Sequence, residues 1–294
     1  MMDTFEAYRP SLFTLAYRML GAVTDAEDVL QEAHLRFAAH IANIEHPKRW
    51  LEQVVTRLCL DELKSARARR EEYVGAWLPE PLETDGAMLQ GTPVDPESIS
   101  LAFLMLLERL SPPERAAFVL IELFEYSAEE AATVLERQAP AVRQLLHRAR
   151  SHVQAARPRF AASRDAHLAI LGAFFAAVRT GDVKKVESFL AQDARAALDG
   201  GGQVKTALNV IHGAERVARL FIGLSRKIDP DVEFEVRHIN GWPALVVLDG
   251  GVPASVTEVE TDGSVVFGVW VCRNPAKLRA LSRSGGLPRL SEHG

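Results

Sequence analysis

Cysteine is scarce in this chain, with two in 294 residues, Cys59 and Cys272, far apart in sequence. That excludes a disulfide framework and a cysteine-built metal centre, and it suits a reducing compartment. No apolar run is long enough to cross a bilayer, and the opening MMDTFEAYRP lacks the apolar stretch of a secretory leader. A cytoplasmic protein with no membrane partner is expected. An excess of basic charge is also missing. Lys and Arg number 34 against 39 Asp and Glu, a net charge of -5, which argues against indiscriminate nucleic-acid binding. No internal repeat is present.

What is present is an ordinary soluble composition, 48% apolar and 25% charged, in a length that suits two or three domains. The charge is unevenly placed. Residues 1–164 hold 19 basic and 24 acidic side chains, yet Arg137 to Arg164 contains seven arginines and no acid. Lys64, Arg67, Arg69 and Arg70 form a second basic cluster. Two basic patches in an acidic region imply two kinds of partner.

Residues 3–72 read as helices, roughly Phe5 to Leu20, a second from Thr24, and a third from Arg49 to Arg70. Thr24 with Glu27 three residues on reads as a capping box. Ala26, Val29, Leu30, Ala33 and Phe37 then make a buried stripe, while Asp25, Asp28 and Glu32 share another side. Gly75 to Pro96, with four prolines and three glycines, reads as a linker. Its WLPEPL segment, residues 77–82, is too apolar to stay free and is expected to dock.

Helices resume near Glu97, with Leu101 to Leu110, then Ser111-Pro112-Pro113-Glu114 capping one that runs to about Phe124. Ser127-Ala128-Glu129-Glu130 is a second capping box. Residues 127–150 have the proportions of a helix-turn-helix. Val142, Leu145, Leu146 and Ala149 turn inward, and Arg143, Gln144, His147 and Arg148 turn outward, where Arg and Gln can bond base edges in a major groove. Such turns often hold Gly, and Glu136 stands there instead. From residue 166 the pattern becomes helices followed by alternating strands, with Asn240-Gly241 and Asp262-Gly263 as hairpin turns. An α+β domain with an antiparallel meander is expected.

Asp25-Ala26-Glu27-Asp28-Val29-Leu30-Gln31-Glu32-Ala33 resembles the DAEDxxQEA signature of region 2 in bacterial sigma factors of the extracytoplasmic-function (ECF) group. The order of elements over about residues 3–155 is similar to theirs. The resemblance implies core RNA polymerase (its β′ clamp helices, and β) and promoter DNA as partners, with Asp25, Asp28, Gln31, Glu32 and Arg36 on the polymerase. Trp50 to Asp61 resembles the family helix that melts and reads the -10 element, which implies roles for Arg57, Asp61, Lys64, Arg67, Arg69 and Arg70. The family often has Asn where Arg57 stands. Residues 127–150 resemble region 4, which reads the -35 element, here through Arg143, Gln144, His147, Arg148 and Arg150.

Residues 166–284 resemble the SnoaL-like branch of the NTF2-like fold, a curved sheet and helices around a conical cavity. WLPEPL, Asp199-Gly200-Gly201-Gly202 and Asn274-Pro275-Ala276-Lys277-Leu278 resemble motifs of the sigma-factor subgroup called SigJ-like. The resemblance implies an interdomain or regulatory role for Trp77, Leu78, Pro79, Pro81, Asp199, Gly200, Gly201, Gly202, Asn274, Pro275, Lys277 and Leu278. The glycine run is a close-approach surface on which the docked WLPEPL segment is the natural candidate to rest.

The expected architecture is multidomain. A region 2 helical bundle (1–72), a linker (73–97) and an all-α region 4 with the helix-turn-helix (98–160) are followed by a SnoaL-like cone domain (166–284) and a flexible tail (285–294). His212, His238, Asp249 and Glu258 show no pairing that would mark a catalytic site, and Trp242 and Trp270 suit core or cavity wall. No enzyme activity, cofactor or metal is expected; a small-molecule ligand in the cavity is left open. Two other readings stay on the table. A one-component helix-turn-helix regulator with a ligand-binding domain would not need the Thr24 and Trp50 helices. A SnoaL-like enzyme would need an acid-base pair in its cavity.

Overall fold

The structure, a computed structural model, describes residues 2–84, 95–156 and 162–281. The chain divides into two units, 1–72 with 85–157, and 73–84 with 158–294. No helix of the described residues is long and apolar enough to cross a membrane.

Among the described residues the first unit has helices and no strand. Helix α1 (Met2–Leu20) buries Leu12, Phe13, Leu15, Ala16, Tyr17 and Met19, and stops where Gly21 takes φ 69°. Helix α2 (Val23–His40) starts one residue before the expected Thr24 cap. Ala22 holds the N-cap position without a side-chain cap bond, and the Glu27 carboxylate pairs with Arg9 of α1 instead of closing a capping box. The tight Gly21 turn leaves only one extended residue before the helix and draws Val23 into the core. Helix α3 (Pro47–Glu71) buries Leu51, Val55, Cys59 and Leu63, one residue per turn.

Then come α4 (Leu101–Leu107), α5 (Pro112–Phe118), α6 (Ala128–Val134) and α7 (Ala139–Ala156). Both Ser-x-x-Glu boxes form as expected. Ser111 N donates to Glu114 Oε2 at 3.0 Å, and Ser127 N to Glu130 Oε2 at 3.0 Å with Glu130 N returning to Ser127 Oγ at 3.1 Å. Past α5 the chain widens into a π-helical turn, Val119–Leu123. Arg115, 2% exposed, crosses from α5 to α1: its Nε donates to the Arg18 carbonyl at 3.0 Å in the last turn of that helix, and Nη1 pairs with Glu108. Burial pushes the Arg115 guanidinium down to about 9, so it is held against a desolvation cost.

The second unit is α+β. Helices α8 (Arg164–Thr180) and α9 (Val183–Glu187) precede strand β1 (Leu190–Asp199), a short β2 (Ile211–His212) and α10 (Ala214–Ser225). Strands β3 (Glu233–Ile239), β4 (Trp242–Asp249), β5 (Val252–Thr261) and β6 (Val266–Cys272) follow, then α11 (Pro275–Leu278). The sheet order is β2-β1-β6-β5-β4-β3. The meander β3 to β6 is antiparallel as expected, with Asn240 (φ 52°) and Gly241 (φ 81°) in its first turn. The sheet as a whole is mixed, however, because β1 joins β6 in parallel.

Strand alternation sends side chains to two faces. On one, Ala194, Ala196, Leu198, Val259, Val269 and Val271 pack beneath Phe174, Val217 and Phe221 of α8 and α10. On the other, Ile239, Ala244, Val246, Leu248, Val256 and Cys272 pack with Leu278 and Leu281. The second face and the free edge of β3 receive the 73–84 segment. Asn240 N donates to Leu82 O at 2.8 Å and Thr84 N to His238 O at 2.9 Å, so residues 82–84 run antiparallel along the edge strand.

Candidate polymerase, promoter and strap sites

The buried stripe of α2 is Val23, Ala26, Val29, Leu30, Ala33 and Phe37. That leaves Asp28, Gln31 and Arg36 exposed and Asp25 and Glu32 half-buried, with Arg36 Nε on Glu32 Oε1 at 2.7 Å. Leu35, 61% exposed, lies four residues past Gln31 and seven past Asp28, on the same side. Sequence reading missed it. The signal was there, since Leu35 falls outside the buried stripe.

On α3 the outward positions are Arg57, Asp61 and Lys64, spaced one turn apart, with Lys64 Nζ on Asp61 Oδ1 at 2.7 Å. Arg67, Arg69 and Arg70 fall within this helix, but their side chains lie outside the described residues. Arg57 Nη2 meets Glu136 Oε1 at 2.8 Å.

Helix α7 buries Val142, Leu145, Leu146, Ala149 and Val153 against α5 and α6, and exposes Arg143, Gln144, His147, Arg148 and Arg150. Three of these cations have acidic partners. Arg143 pairs with Glu129, Arg148 Nε meets Glu114 Oε1 at 2.8 Å, and Arg150 Nη2 meets Glu122 Oε1 at 2.5 Å. The basic face is therefore close to neutral, consistent with the acidic balance of the chain. The turn before α7 places Glu136 at φ 53°, where glycine would be unstrained.

In the second unit the three short motifs meet around one carboxylate. Asp199, fully buried at the end of β1, accepts four hydrogen bonds. Tyr73 Oη (2.5 Å) and Gly201 N (3.0 Å) donate to Oδ1; Lys277 Nζ (2.7 Å) and Leu78 N (3.0 Å) donate to Oδ2. Lys277 Nζ also donates to Leu78 O and lies 4.2 Å from the centre of the Trp77 ring. Asn274 Nδ2 donates to Tyr73 Oη at 2.9 Å, and its Oδ1 accepts from Ala276 N at 3.0 Å, capping α11 with Pro275 in the first turn. Burial and the bond to Asp199 hold the Tyr73 phenol well above its ordinary pKa.

The glycines admit these neighbours. A Cβ on Gly201 (φ 60°) would lie inside the Asn274 side chain, and one on Gly200 would strike Val204 O. So Asn274, not the WLPEPL segment, rests on Gly201; Val74, just before that segment, approaches Gly202. Leu78, Pro79, Glu80, Pro81 and Leu82 are all buried, and Asn240 Oδ1 accepts from Leu82 N at 3.1 Å. Tyr73, and the hold of the turn residue Asn240 on the strap, were missed by sequence reading, because nothing local marks a polar side chain whose partner is more than a hundred residues away.

The four residues weighed for catalysis are scattered. His212 is exposed on β2, Asp249 is exposed at the end of β4, His238 is half-buried on β3 and Glu258 is buried on β5. Burial raises the Glu258 carboxyl to about 8. An open depression of about 350 Å³ lies near α10, lined by Glu187, Gln192, His212 and residues 213–216.

Residues 4–69 match the family profile "Sigma-70 region 2", and residues 100–153 match "Sigma-70, region 4". The chain is 36% identical to the ECF RNA polymerase sigma factor SigJ of Mycobacterium tuberculosis, over 94% of this chain and 92% of that protein. It is 31% identical to the probable ECF RNA polymerase sigma factor SigI of the same organism, over 94% of each. The crystal structure of M. tuberculosis SigJ superimposes with a TM-score of 0.74 at 33% identity, covering 94% of this chain and 98% of that one.

Proposed function

The chain belongs to the ECF RNA polymerase sigma factors, and on that premise we propose how its surfaces divide the work. Proteins of this type bind core RNA polymerase and direct promoter-specific initiation, and that is the function of this chain. Its working compartment is the cytoplasm. The observation that carries the division of labour is that three helices each present one outward row of functional side chains over a fully buried inner stripe.

The α2 row docks on core polymerase through the β′ clamp helices. Leu35 is its exposed apolar anchor, beside the polar Asp25, Asp28, Gln31, Glu32 and Arg36. The α3 row, Arg57, Asp61 and Lys64, meets the melted -10 element, and the basic tail of the same helix, with Arg67, Arg69 and Arg70 in its sequence, is assigned to phosphates beside it. The α7 row, Arg143, Gln144, His147, Arg148 and Arg150, enters the major groove at the -35 element. The Asp199 cage holds the 73–84 strap on the C-terminal domain. Because the strap lies between regions 2 and 4 in sequence, docking it shortens the tether available to them.

Pull-down with core polymerase tests the docking face. Asp28→Arg with Glu32→Arg, and separately Leu35→Ser, are expected to abolish co-purification and run-off transcription while the far-UV spectrum stays native. Undiminished co-purification by the charge-reversed protein would remove α2 from the interface.

A further inference from the structure

Within the first unit, four polar links tie the region 2 helices to the region 4 helices. Arg57 Nη2 on α3 meets Glu136 Oε1 in the helix-turn-helix turn at 2.8 Å, and Arg49 Nη2 on α3 meets Glu130 Oε1 on α6 at 2.6 Å. Tyr126, just before α6, donates to Glu52 of α3. Arg115 of α5 donates to the last-turn carbonyl Arg18 O of α1. Two of these four links use a residue at or beside the surfaces assigned to promoter DNA.

Glu136 is the unusual member. Its backbone sits at φ 53°, a conformation that costs a side chain about 1 kcal/mol or more and that glycine adopts freely. The turn needs only the conformation. The carboxylate adds something else: it occupies the Arg57 guanidinium, the group offered to a phosphate or base when DNA arrives. Carboxylate and phosphate take the same guanidinium donors, so one displaces the other. Both side chains are substantially exposed, at 43% for Arg57 and 71% for Glu136, so the pair is weak and salt-screened, as a contact that has to open must be.

We propose that Glu136 acts as an internal stand-in for promoter DNA. It latches the helix-turn-helix turn onto the -10-reading helix in the free protein and keeps the Arg57 guanidinium paired until polymerase separates regions 2 and 4. The inference rests on the assignment of Arg57 to the promoter surface. That assignment fails on its own terms if Arg57→Ala leaves promoter affinity of the polymerase-bound protein unchanged.

The test uses full-length protein with donor and acceptor dyes on Ser65→Cys and Ser151→Cys, two exposed positions on α3 and α7; the native Cys59 and Cys272 are buried. Glu136→Gln keeps the backbone strain and removes the charge. It is expected to lower energy transfer in the free protein and to tighten binding of a promoter fork duplex about 3- to 10-fold at low salt, with the gain shrinking as salt rises. The swap Arg57→Glu with Glu136→Arg restores the energy transfer but not the DNA affinity. Glu136→Gln with unchanged affinity, or with changed affinity but unchanged energy transfer, overturns the latch.

Discussion

Carboxylates and cations meet in both units of this molecule, under opposite conditions. At Asp199 the carboxylate is fully buried, it accepts four hydrogen bonds, and its lysine reaches it from a different motif. On α3 and α7 the arginines lie in water beside acids of their own unit, with Arg143, Arg148 and Arg150 each roughly half exposed. The chemistry is shared; burial decides what it is good for. A buried pair is hard to break, because removing one partner strands the other charge away from water. An exposed pair is worth little and is easily exchanged for another partner. The first arrangement fixes a strap, and the second suits a surface that, as proposed for DNA, has to stay soluble and available.

Breaking the buried side should give the largest effect. Asp199→Ala takes the acceptor from the Tyr73 hydroxyl, the Leu78 N–H and the Gly201 N–H and the counter-charge from the buried Lys277 ammonium, and is expected to cost about 3–5 kcal/mol of C-terminal unit stability. Urea denaturation followed by Trp fluorescence measures it; a loss below about 1 kcal/mol would mean that solvent reaches the cage.

A second experiment separates burial from pairing. His167, stacked on Trp242 with ring centres 5.2 Å apart, is lowered by burial to about 4 from 6.5, whereas Glu258 is raised by burial to about 8 from 4.5. For the histidine the unfolded chain takes up the proton first, so its contribution is complete above pH 6.5 and is lost as pH falls toward 4. For the glutamate the unfolded chain releases its proton first, so its contribution is complete below pH 4.5 and is lost as pH rises toward 8. The two slopes oppose each other between pH 4.5 and 6.5. Relative to wild type, His167→Phe should therefore gain stability on going from pH 7 to pH 4.5, by about 2 kcal/mol. Glu258→Gln should gain on going from pH 5 to pH 8. Parallel stability curves for wild type and His167→Phe would show the imidazole to be solvated.

The smallest stability change belongs to the exposed side. Arg143→Ala should alter unfolding by less than about 1 kcal/mol while weakening -35 duplex binding by about 1–3 kcal/mol. Fluorescence anisotropy against a scrambled duplex reads the difference, and an equal loss on both duplexes would make Arg143 a phosphate contact with no part in base reading.

The helical half was largely legible because its determinants are local. Ser111-x-x-Glu114 and Ser127-x-x-Glu130 close within one turn, and the stripe from Val142 to Ala149 needs only the helical repeat. The sheet was legible where hairpins are local, as at Asn240-Gly241. Strand β1 was not. Its residues, LAQDARAALD, are rich in alanine and carry no clean alternation; they become a strand only by pairing with β6, some seventy positions later, and with β2. The candidate rows on α2, α3 and α7 came from spacing and family likeness together. The acids that cover the arginines, Glu114, Glu122, Glu129 and Glu136, could not be placed without knowing which helices pack together.

The strap is also a matter of timing. Leu78 and Lys277, joined in the finished cage, are 199 positions apart. At translation rates of about 5–20 residues per second, Leu78 leaves the ribosome roughly 10–40 s before the lysine that will hold it. Region 2 is complete as that interval opens and region 4 before it closes, while the apolar stretch from Leu78 to Leu82 still lacks its finished surface. A newborn chain of this protein thus holds both promoter-reading regions before its strap can dock, and the segment carrying Asn274 and Lys277 is the one that sets it.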